Sequence, residues 1–346
     1  MRYKDHYQNW RKNPQEFWAD QAKFLKWQTA PEKIFEHNES GDRWYVGGVM
    51  NTCFNCVDRH VEAGHGARIA FIHDSPMTGT KSQISYAELL DRVQCVATMM
   101  QDKGIEKGDR VIIYMPMIVE TAIAALACAR LGAIHSIVFG GFAAAELATR
   151  LDDAKPKLVL AASCGLEPGR IIDYKPLLDD AIELASHKPE ACIIWQRDEA
   201  PAPLISGRDF EWQPLENQAR AADRRAICVP VLATDPLYIL YTSGTTGVPK
   251  GVVRDNGGHL VALSWAMENV FNIAPGEVFW SASDFGWVVG HSFILYGPLA
   301  IGATSVIYEG KPIGTPDAGA FWRVISEHRV KALFTAPTAF RAIKKE

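Results

Sequence analysis

The sequence lacks the features that mark a membrane protein, a secreted protein or a nucleic-acid-binding protein. No apolar run among its 346 residues reaches the ~20 uninterrupted residues of a membrane-spanning helix, because Glu120 and Arg130 interrupt the most apolar stretch, IVETAIAALACARLGA. The N-terminal stretch MRYKDHYQNWRKNPQEFW mixes charges with aromatics and does not resemble a secretory signal. The formal charge of −4 provides no global field for nucleic acid. We therefore predict a cytoplasmic protein with no membrane partner and no nucleic-acid partner.

The cysteines do not have the spacing of a metal site. There are seven, an odd number, and most lie inside apolar segments, as reduced thiols of a cytoplasmic protein do. Cys53 and Cys56 form one CxxC motif, but no second Cys or His pair accompanies it at zinc-ligand spacing. The favoured interpretation is two core or loop thiols, and no metal site is predicted.

Short apolar runs alternate with helix-length segments along most of the chain. Ser85 and Glu88 have the spacing of a capping box at the start of the first clear helix. The runs RVIIYM and HSIVF flank the alanine-rich helix and form a βαβ unit. The same alternation continues to ALFTA near residue 335. It predicts an α/β fold of largely parallel βαβ sheets with helices on both faces.

We divide the chain into four segments by composition. Residues 1–66, whose tryptophans are spread among polar residues, are predicted to form an N-terminal aromatic-rich cap. Residues 67–195 are predicted to form a first α/β subdomain and residues 231–346 a second one. Residues 196–230 are rich in proline and charge without a clear period, so we expect an irregular connection there.

The apolar strand PLYILY leads into the run TSGTTGVPKG, which combines four Ser and Thr side chains, glycines and one lysine. Open α/β sheets bind ligands at the carboxyl ends of their strands, and glycines let backbone N–H groups approach an anion. The run is not a Walker A loop, because only two residues separate Gly244 from Gly247 and Gly251 follows Lys250. A flexible surface turn is the alternative, but this ordered string is more specific than loop composition. We predict a phosphate-binding loop of a different family.

The run resembles the signature of the AMP-forming acyl-CoA synthetase superfamily, whose members form acyl-adenylates. In that family the loop holds the β and γ phosphates of ATP. The resemblance gives this role to Thr242, Ser243, Gly244, Thr245, Thr246, Gly247 and Lys250. It also implies that Lys250 and Thr245 are catalytic. Close relatives often carry a lysine where this chain has Val248, which leaves Lys250 as the one cation in the loop sequence.

A second block, SDFGWVVGHS at 283–292, is similar to the family's aromatic motif beside the carboxylate pocket. The resemblance implies that Trp287, Val288 and Val289 wall a pocket for a small aliphatic tail. A core tryptophan is the alternative for Trp287 taken alone. His291 is interpreted as a structural or orienting residue, because a carboxylate nucleophile needs no deprotonation at neutral pH.

The resemblance also implies a coenzyme A site at VFGGF (138–142) and CGLEPGR (164–170). In similar acetate-activating enzymes the second block has two arginines that bind the nucleotide phosphate, and the matching positions here are Glu167 and Arg170. Arg170 suits a phosphate, whereas Glu167 should repel one. For Gly140 and Gly141 an ordinary tight turn competes with a contact to coenzyme A.

The runs KGVVRDNGGH and WVVGHS are most similar to propionate–CoA ligases and next to acetyl-CoA synthetases. The implied reaction activates a short-chain carboxylate with ATP and Mg²⁺ through an acyl-adenylate, and coenzyme A then displaces AMP. The implied partners are thus small molecules. The segment RAIKKE falls roughly midway in relatives, so we expect the N-terminal part of a longer enzyme, without the C-terminal domain. Three alternatives remain: an acetyl-CoA synthetase, a catalytically incomplete nucleotide-binding fragment, and an adenylating enzyme that serves a carrier protein.

Overall fold

The structure, a computed structural model, describes residues 3–39, 41–242 and 250–346. In chain order its strands are β1 (Lys33–Asn38), β2 (Gly41–Val46), β3 (Val49–Met50), β4 (Ile69–Ser75), β5 (Thr80–Ser85), β6 (Arg110–Tyr114), β7 (Ile134–Val138), β8 (Leu158–Ala162), β9 (Cys164–Glu167), β10 (Arg170–Asp173), β11 (Ala191–Trp195), β12 (Asp209–Glu211), β13 (Val231–Leu232), β14 (Pro236–Thr242), β15 (Lys250–Asp255), β16 (Val278–Ala282), β17 (Thr304–Tyr308) and β18 (Ala332–Thr335).

The helices connect these strands. They are α1 (Tyr3–Lys12), α2 (Pro14–Ala22), α3 (Tyr86–Gln101), α4 (Val119–Leu131), α5 (Ala144–Ala154), α6 (Tyr174–Leu184), α7 (Trp212–Ala221), α8 (Gly257–Asn269), α9 (Val288–Gly290), α10 (Gly297–Ala300), α11 (Ala320–Glu327) and α12 (Pro337–Lys345). Three short segments are π-helical: Phe54–Asp58, Val61–His65 and His291–Tyr296. Within the described residues, no helix combines the length and the apolar character needed to cross a membrane.

The larger sheet has seven strands in the order β12-β11-β8-β6-β7-β14-β15. Every neighbouring pair is parallel except β14 with β15. Its central strands β6 and β8 are continuous apolar runs because helices cover both faces of the sheet. The crossover helix α4 is buried along almost its whole length and ends at Gly132. A side chain at Gly132 would meet Val231 at 2.8 Å, and the positive φ of 68° also favours glycine there.

The second sheet has five strands in the order β18-β16-β17-β4-β5, all parallel except β4 with β5. The capping box predicted at Ser85 and Glu88 opens α3: the Glu88 backbone N–H donates to Ser85 Oγ, and the Ser85 backbone N–H donates to the Glu88 carboxylate. The prediction of an α/β fold with largely parallel sheets and helices on both faces is confirmed.

The strands are distributed differently from the division of the chain that composition suggested. β4 and β5 come from the first predicted subdomain but lie in the same sheet as β16, β17 and β18. β14 and β15 come from the second and complete the seven-stranded sheet. Composition does not encode strand partners, because pairing depends on which edges meet in three dimensions.

Residues 196–230 are also more regular than expected, since they contain β12 and α7. The apolar face of α7 is narrow, because the charged Glu216 is buried beside Trp212 and Ala219. Trp212 is held by a hydrogen bond from its indole N–H to Glu216 at 2.8 Å. A single tryptophan anchor gives too weak a period for the helix to be recognised from the sequence.

The N-terminal aromatics pack on the body of the protein. Trp18 lies edge-on to Trp265 of α8, with ring centroids 6.0 Å apart. Trp44 packs on Phe35 within the N-terminal segment, with ring centroids 4.9 Å apart. Trp10 differs, because 40% of its surface is exposed. The thiols of the CxxC motif are both buried, as expected of core cysteines.

Candidate active-site cleft

The carboxyl ends of strands from both sheets converge on one cleft. Its cavity of about 210 Å³ is lined by residues that lie one or two positions after the ends of four strands: Pro116 after β6, Gly140 after β7, Ser283 after β16 and Glu309 after β17. Parallel α/β sheets bind ligands at this end, because the strands stop there and the connecting loops leave a crevice. The cleft is therefore the candidate site.

A larger cavity of about 700 Å³ lies elsewhere, between β5, α3 and α4. Four of its charged lining residues already pair with one another: Arg92 with Glu120 at 3.0 Å and Arg220 with Asp91 at 2.9 Å. Because it does not gather strand ends and its charges are mutually satisfied, we assign the site to the cleft.

Gly140 and Gly141 form the turn after β7 at the edge of the cleft. A Cβ atom on Gly140 would lie 2.3 Å from the hydroxyl oxygen of Tyr174, a buried residue that packs on Tyr114 with ring centroids 4.9 Å apart. Gly141 has a φ of 82°, which favours glycine. The turn requires glycine at position 141, and the contact with Tyr174 requires glycine at position 140, so neither residue needs a ligand to account for it. The contact of these two glycines with coenzyme A stays a prediction.

Glu167 and Arg170 face each other across the hairpin of β9 and β10. Arg170 Nε donates to Glu167 Oε2 at 2.9 Å, and Lys311 Nζ lies 3.9 Å from Glu167 Oε1. Glu167 is therefore flanked by two cations, and the three side chains together carry a net charge of +1. The repulsion that we expected between Glu167 and a phosphate is offset by Lys311, which the sequence analysis did not single out. The sequence feature that could have pointed to Lys311 is its position just after the predicted strand TSVIYE.

The aromatic block that includes Asp284 and Gly286 packs directly on the turn after β7. The Gly286 backbone N–H donates to Asp284 Oδ1 at 2.8 Å, and a Cβ atom on Gly286 would meet the Cα atom of Phe139 at 3.2 Å. Burial raises the pKa of Asp284, while the charge of Lys311 opposes that rise. Two motifs far apart in sequence are thus brought together at the cleft.

The predicted phosphate loop leaves the sheet at the same edge. Its ends, Thr242 and Lys250, are paired across the antiparallel β14 and β15, and both are exposed. β14 runs parallel to β7, with which it pairs at Tyr238↔His135, so Thr242 lies at the same carboxyl edge of the sheet as the turn after β7. The loop residues Ser243, Gly244, Thr245, Thr246 and Gly247 lie outside the described residues, so their phosphate contacts stay predictions.

The predicted acyl-pocket residues have different environments. Trp287 is 59% exposed, Val289 is half-buried, and Val288 lines a separate cavity of about 620 Å³. That cavity also includes Trp44 from the N-terminal segment and the charged Arg254. Its wall is therefore more polar than a purely aliphatic pocket would be, and the role of the three residues in acid binding stays a prediction.

His291 is buried beneath the aromatic block. Its ring stacks on Tyr238, with ring centroids 4.4 Å apart, and its Nδ1 lies 3.1 Å from the backbone oxygen of Trp287. Burial lowers the pKa of His291 to about 4, so the ring is neutral at physiological pH. A neutral stacked ring is consistent with the structural role expected from the sequence.

Buried neutral histidines should make the protein sensitive to acid. Burial lowers the pKa of His259 to about 3 and that of His291 to about 4, whereas an unfolded chain has a value of about 6.5. At pH values between the pKa of the folded state and that of the unfolded state, the unfolded state binds protons that the folded state does not. The free energy of unfolding therefore falls as the pH drops below about 6.5. Each such histidine contributes a slope of about 1.4 kcal/mol per pH unit.

We therefore expect His259→Gln to flatten the dependence of stability on pH between 4 and 6, relative to the unmodified protein. Urea unfolding at several pH values measures the slope. His37→Gln, at an exposed position, is the control and should leave the slope unchanged. Equal slopes for the His259 variant and the unmodified protein would contradict the prediction.

A buried ion pair joins the two sheets beside the cleft. Arg197, which follows β11, donates from Nη1 to Glu309 Oε1 at 2.6 Å and from Nη2 to Oε2 at 3.2 Å. Ser75 at the end of β4 donates to the same carboxylate at 2.8 Å. Both charged side chains are about 5% exposed. The pair therefore fixes the position of one wall of the cleft relative to the other sheet.

Two family models match the chain. A family model described as "AMP-binding enzyme" matches residues 57–346, and one described as "Acetyl-coenzyme A synthetase N-terminus" matches residues 3–56. An uncharacterized protein of Pseudomonas aeruginosa is 57% identical over 334 residues, which cover 96% of this chain and 52% of that protein.

Two named relatives are also similar. The mitochondrial acyl-CoA synthetase short-chain family member 3 of Rattus norvegicus is 52% identical over 346 residues, which cover 99% of this chain and 50% of the relative. The propionate–CoA ligase of Escherichia coli K12 is 44% identical over 349 residues, which cover 100% of this chain and 54% of the relative. The chain spans about half the length of the curated relatives it matches. Because the first family model covers most of its residues, the chain belongs to the AMP-binding enzyme family.

Proposed function

We propose that the protein containing this chain is an AMP-forming acyl-CoA synthetase that activates a short-chain carboxylate, and that propionate is its substrate. The carboxylate attacks the α-phosphate of ATP and releases pyrophosphate. The thiolate of coenzyme A then displaces AMP from the acyl-adenylate. The observation that carries the proposal is the cleft, where the turn after β7 and the aromatic block meet, since the strand before the phosphate loop is the neighbour of β7 in the same sheet. Similarity to a propionate–CoA ligase along the whole chain supports the choice of acid.

In this proposal the chain supplies positive charge and position for the first half-reaction. Lys250 at the start of β15 neutralises charge that develops on the departing pyrophosphate. Two clusters among the described residues bring three metal-ligating side chains together, Cys53–Asp58–Cys228 and Asp74–Glu327–His328, and neither lines the cleft. Mg²⁺ is therefore assigned to the phosphates of ATP, and it would enter with the nucleotide.

The cleft also has a candidate phosphate site for coenzyme A. Glu167, Arg170 and Lys311 together carry one net positive charge, and Glu167 and Lys311 line the same cavity as Gly140. Glu167 holds Arg170 by a close ion pair, and Lys311 is 46% exposed, which leaves its ammonium group able to reach a ligand. We assign Lys311 to the ribose phosphate of coenzyme A, in place of the arginine that Glu167 replaces.

If this is correct, Lys311→Ala should raise the KM for coenzyme A by about 10-fold, which corresponds to the loss of one exposed charge-assisted hydrogen bond. Dephospho-coenzyme A lacks the ribose phosphate, so its KM should not change in the same variant. ATP–pyrophosphate exchange without coenzyme A should also be unaffected. Lys12→Ala removes the same charge from an exposed position on α1 and is the control. An equal rise in KM for both thiols would show that Lys311 acts on another part of the ligand.

The proposed function is tested with the complete protein, alongside residues 1–346 alone. ATP–pyrophosphate exchange is measured with acetate, propionate, butyrate and hexanoate, and thioester formation is then followed with coenzyme A. We expect the highest kcat/KM with propionate. A preference for acetate supports the acetyl-CoA synthetase alternative. Exchange with acyl transfer only to a carrier protein supports the carrier-dependent enzyme, and nucleotide binding without exchange supports a catalytically incomplete protein.

We also propose a cytoplasmic location and small molecules as the only ligands of the cleft. All seven cysteines are free thiols, which is the usual state in a reducing compartment. Cell fractionation tests the location, and recovery of the protein outside the cytoplasm would contradict it.

A further inference from the structure

Two cysteines far apart in sequence share a buried cluster with one acidic and one basic side chain. The ligating atoms of Cys53, Asp58 and Cys228 all lie within 4.8 Å of one another. The Cys228 thiol donates to Asp58 Oδ2 at 3.8 Å, and Arg130 Nη1 lies 3.7 Å from the Cys53 sulfur. Cys53 is fully buried, whereas Cys228 is only partly buried. The cluster is separate from the cleft.

The backbone explains why the two sulfur atoms meet. β3 and β13 are antiparallel, and their register pairs Met50 with Val231. Cys53 follows Met50 by three residues, and Cys228 precedes Val231 by three residues. Both cysteines therefore lie beyond the same end of this short pair of strands, and their sulfur atoms lie within 4.8 Å of one another. An S–S bond of about 2 Å requires the two sulfur atoms to close that distance.

The two thiols have different electrostatic environments. Cys53 lies in the first turn of a helix, where the Asn51 side chain accepts a hydrogen bond from the Phe54 backbone N–H at 3.0 Å. The Arg130 guanidinium approaches the Cys53 sulfur, with Nη1 at 3.7 Å. A hydrogen bond to Cys53 and burial raise the pKa of Cys228, which keeps its proton.

A path from solvent reaches the pair at Cys228. This residue lines a cavity of about 270 Å³ together with Trp27, Asn51 and Pro230. The cavity therefore brings a small oxidant to Cys228, whose sulfur lies within 4.8 Å of the Cys53 sulfur, without unfolding of the core. Cys56 provides a contrast, because it is buried and its Sγ lies 3.7 Å from the backbone oxygen of Tyr296.

We propose that Cys53 and Cys228 are a redox-modification site that forms an intramolecular disulfide on reaction with a hydroperoxide. The Cys53 thiolate attacks the terminal oxygen of the hydroperoxide, the O–O bond breaks, and the leaving alkoxide or hydroxide takes up the proton that Cys53 released. The Cys228 sulfur then attacks the Cys53 sulfenic acid. The S–O bond breaks, and the departing hydroxide takes up the proton of the Cys228 thiol to form water. Two thiols are oxidised and one hydroperoxide is reduced.

The geometry favours a disulfide over a metal site at the same residues. Arg130 donates from Nη1 and Nη2 to both Asp58 oxygens, at 2.9 and 3.0 Å. The carboxylate is thus already occupied, and the guanidinium repels an incoming cation. Two thiols can still join, because neither needs to displace Arg130. This inference does not depend on the proposed function.

The test uses the complete protein, reduced and then treated with hydrogen peroxide. We expect the titratable thiols to fall by two, and peptide mapping to find the peptide containing Cys53 linked to the one containing Cys228. Dithiothreitol should reverse the linkage. The Tm should be higher in the oxidised form, because the bond closes a long loop in the unfolded chain.

Variants identify the order of the two steps. Cys228→Ser should give no link and should leave Cys53 as a sulfenic acid that dimedone traps. Cys53→Ser should give no link, and Cys56→Ser, the matched buried control, should still give the full link. The proposal is overturned if other thiols oxidise while this pair stays reduced in the unmodified protein. It is also overturned if metal analysis of the purified protein finds an ion whose removal exposes the two thiols.

Discussion

Replacing Lys250 by alanine is expected to slow ATP–pyrophosphate exchange by about 10² to 10³-fold, because the side chain neutralises charge that develops on the departing pyrophosphate. Lys250 opens β15 opposite Thr242 at an exposed edge of the larger sheet. The variant should therefore fold normally, as exposed substitutions usually do. Because the interaction strengthens in the transition state, the rate constant for exchange should fall more than the affinity for ATP.

Two variants separate charge from geometry at this position. Lys250→Arg keeps the charge on a longer, planar group and should recover only part of the rate. Lys12→Ala, at an exposed position on α1, should leave exchange unchanged. Exchange rates and Tm are measured on the same preparations. Normal exchange in a folded Lys250→Ala variant would remove Lys250 from the proposed site.

The largest effect on stability is expected from Arg197→Met, which should lower the free energy of unfolding by about 3 to 5 kcal/mol. The substitution leaves the buried Glu309 carboxylate with Ser75 as its remaining partner among the contacts described above. An uncompensated buried charge is costly because the surrounding low dielectric solvates it poorly. Glu309→Leu should cost less, since Arg197 Nε still lies 3.3 Å from the Glu199 carboxylate.

The double variant Arg197→Met/Glu309→Leu should recover much of the loss, because it leaves neither charge buried alone. Arg224→Met is the matched control: Arg224 makes a similar two-bond pair with Asp102, at 2.8 and 2.6 Å, but at the surface. Its loss should matter far less because water already solvates both groups. Urea unfolding of the four variants measures these differences, and a change below about 1 kcal/mol for Arg197→Met would contradict the argument.

Local patterns in the sequence predicted the fold class and the family. The βαβ alternation, the capping box at Ser85 and the run from Thr242 to Lys250 are short-range features, since each depends on residues close together in the chain. The same is true of the turn at Gly140 and Gly141. Such features can be recognised without knowing which strands pair, and the comparisons with known proteins confirm the family that they indicated.

The tertiary structure decided which distant residues meet. It placed β4 and β5 in a sheet with β16 to β18, brought Lys311 within 3.9 Å of Glu167, and buried Glu309 against Arg197. It also set Cys53 beside Cys228, although the sequence drew attention to Cys56 as its partner in a CxxC motif. These contacts depend on strand order and register, which are determined by the packing of whole elements. A sequence pattern specifies an element and its buried face, whereas the charge balance of a cleft or the pairing of two thiols is decided only when those elements pack together.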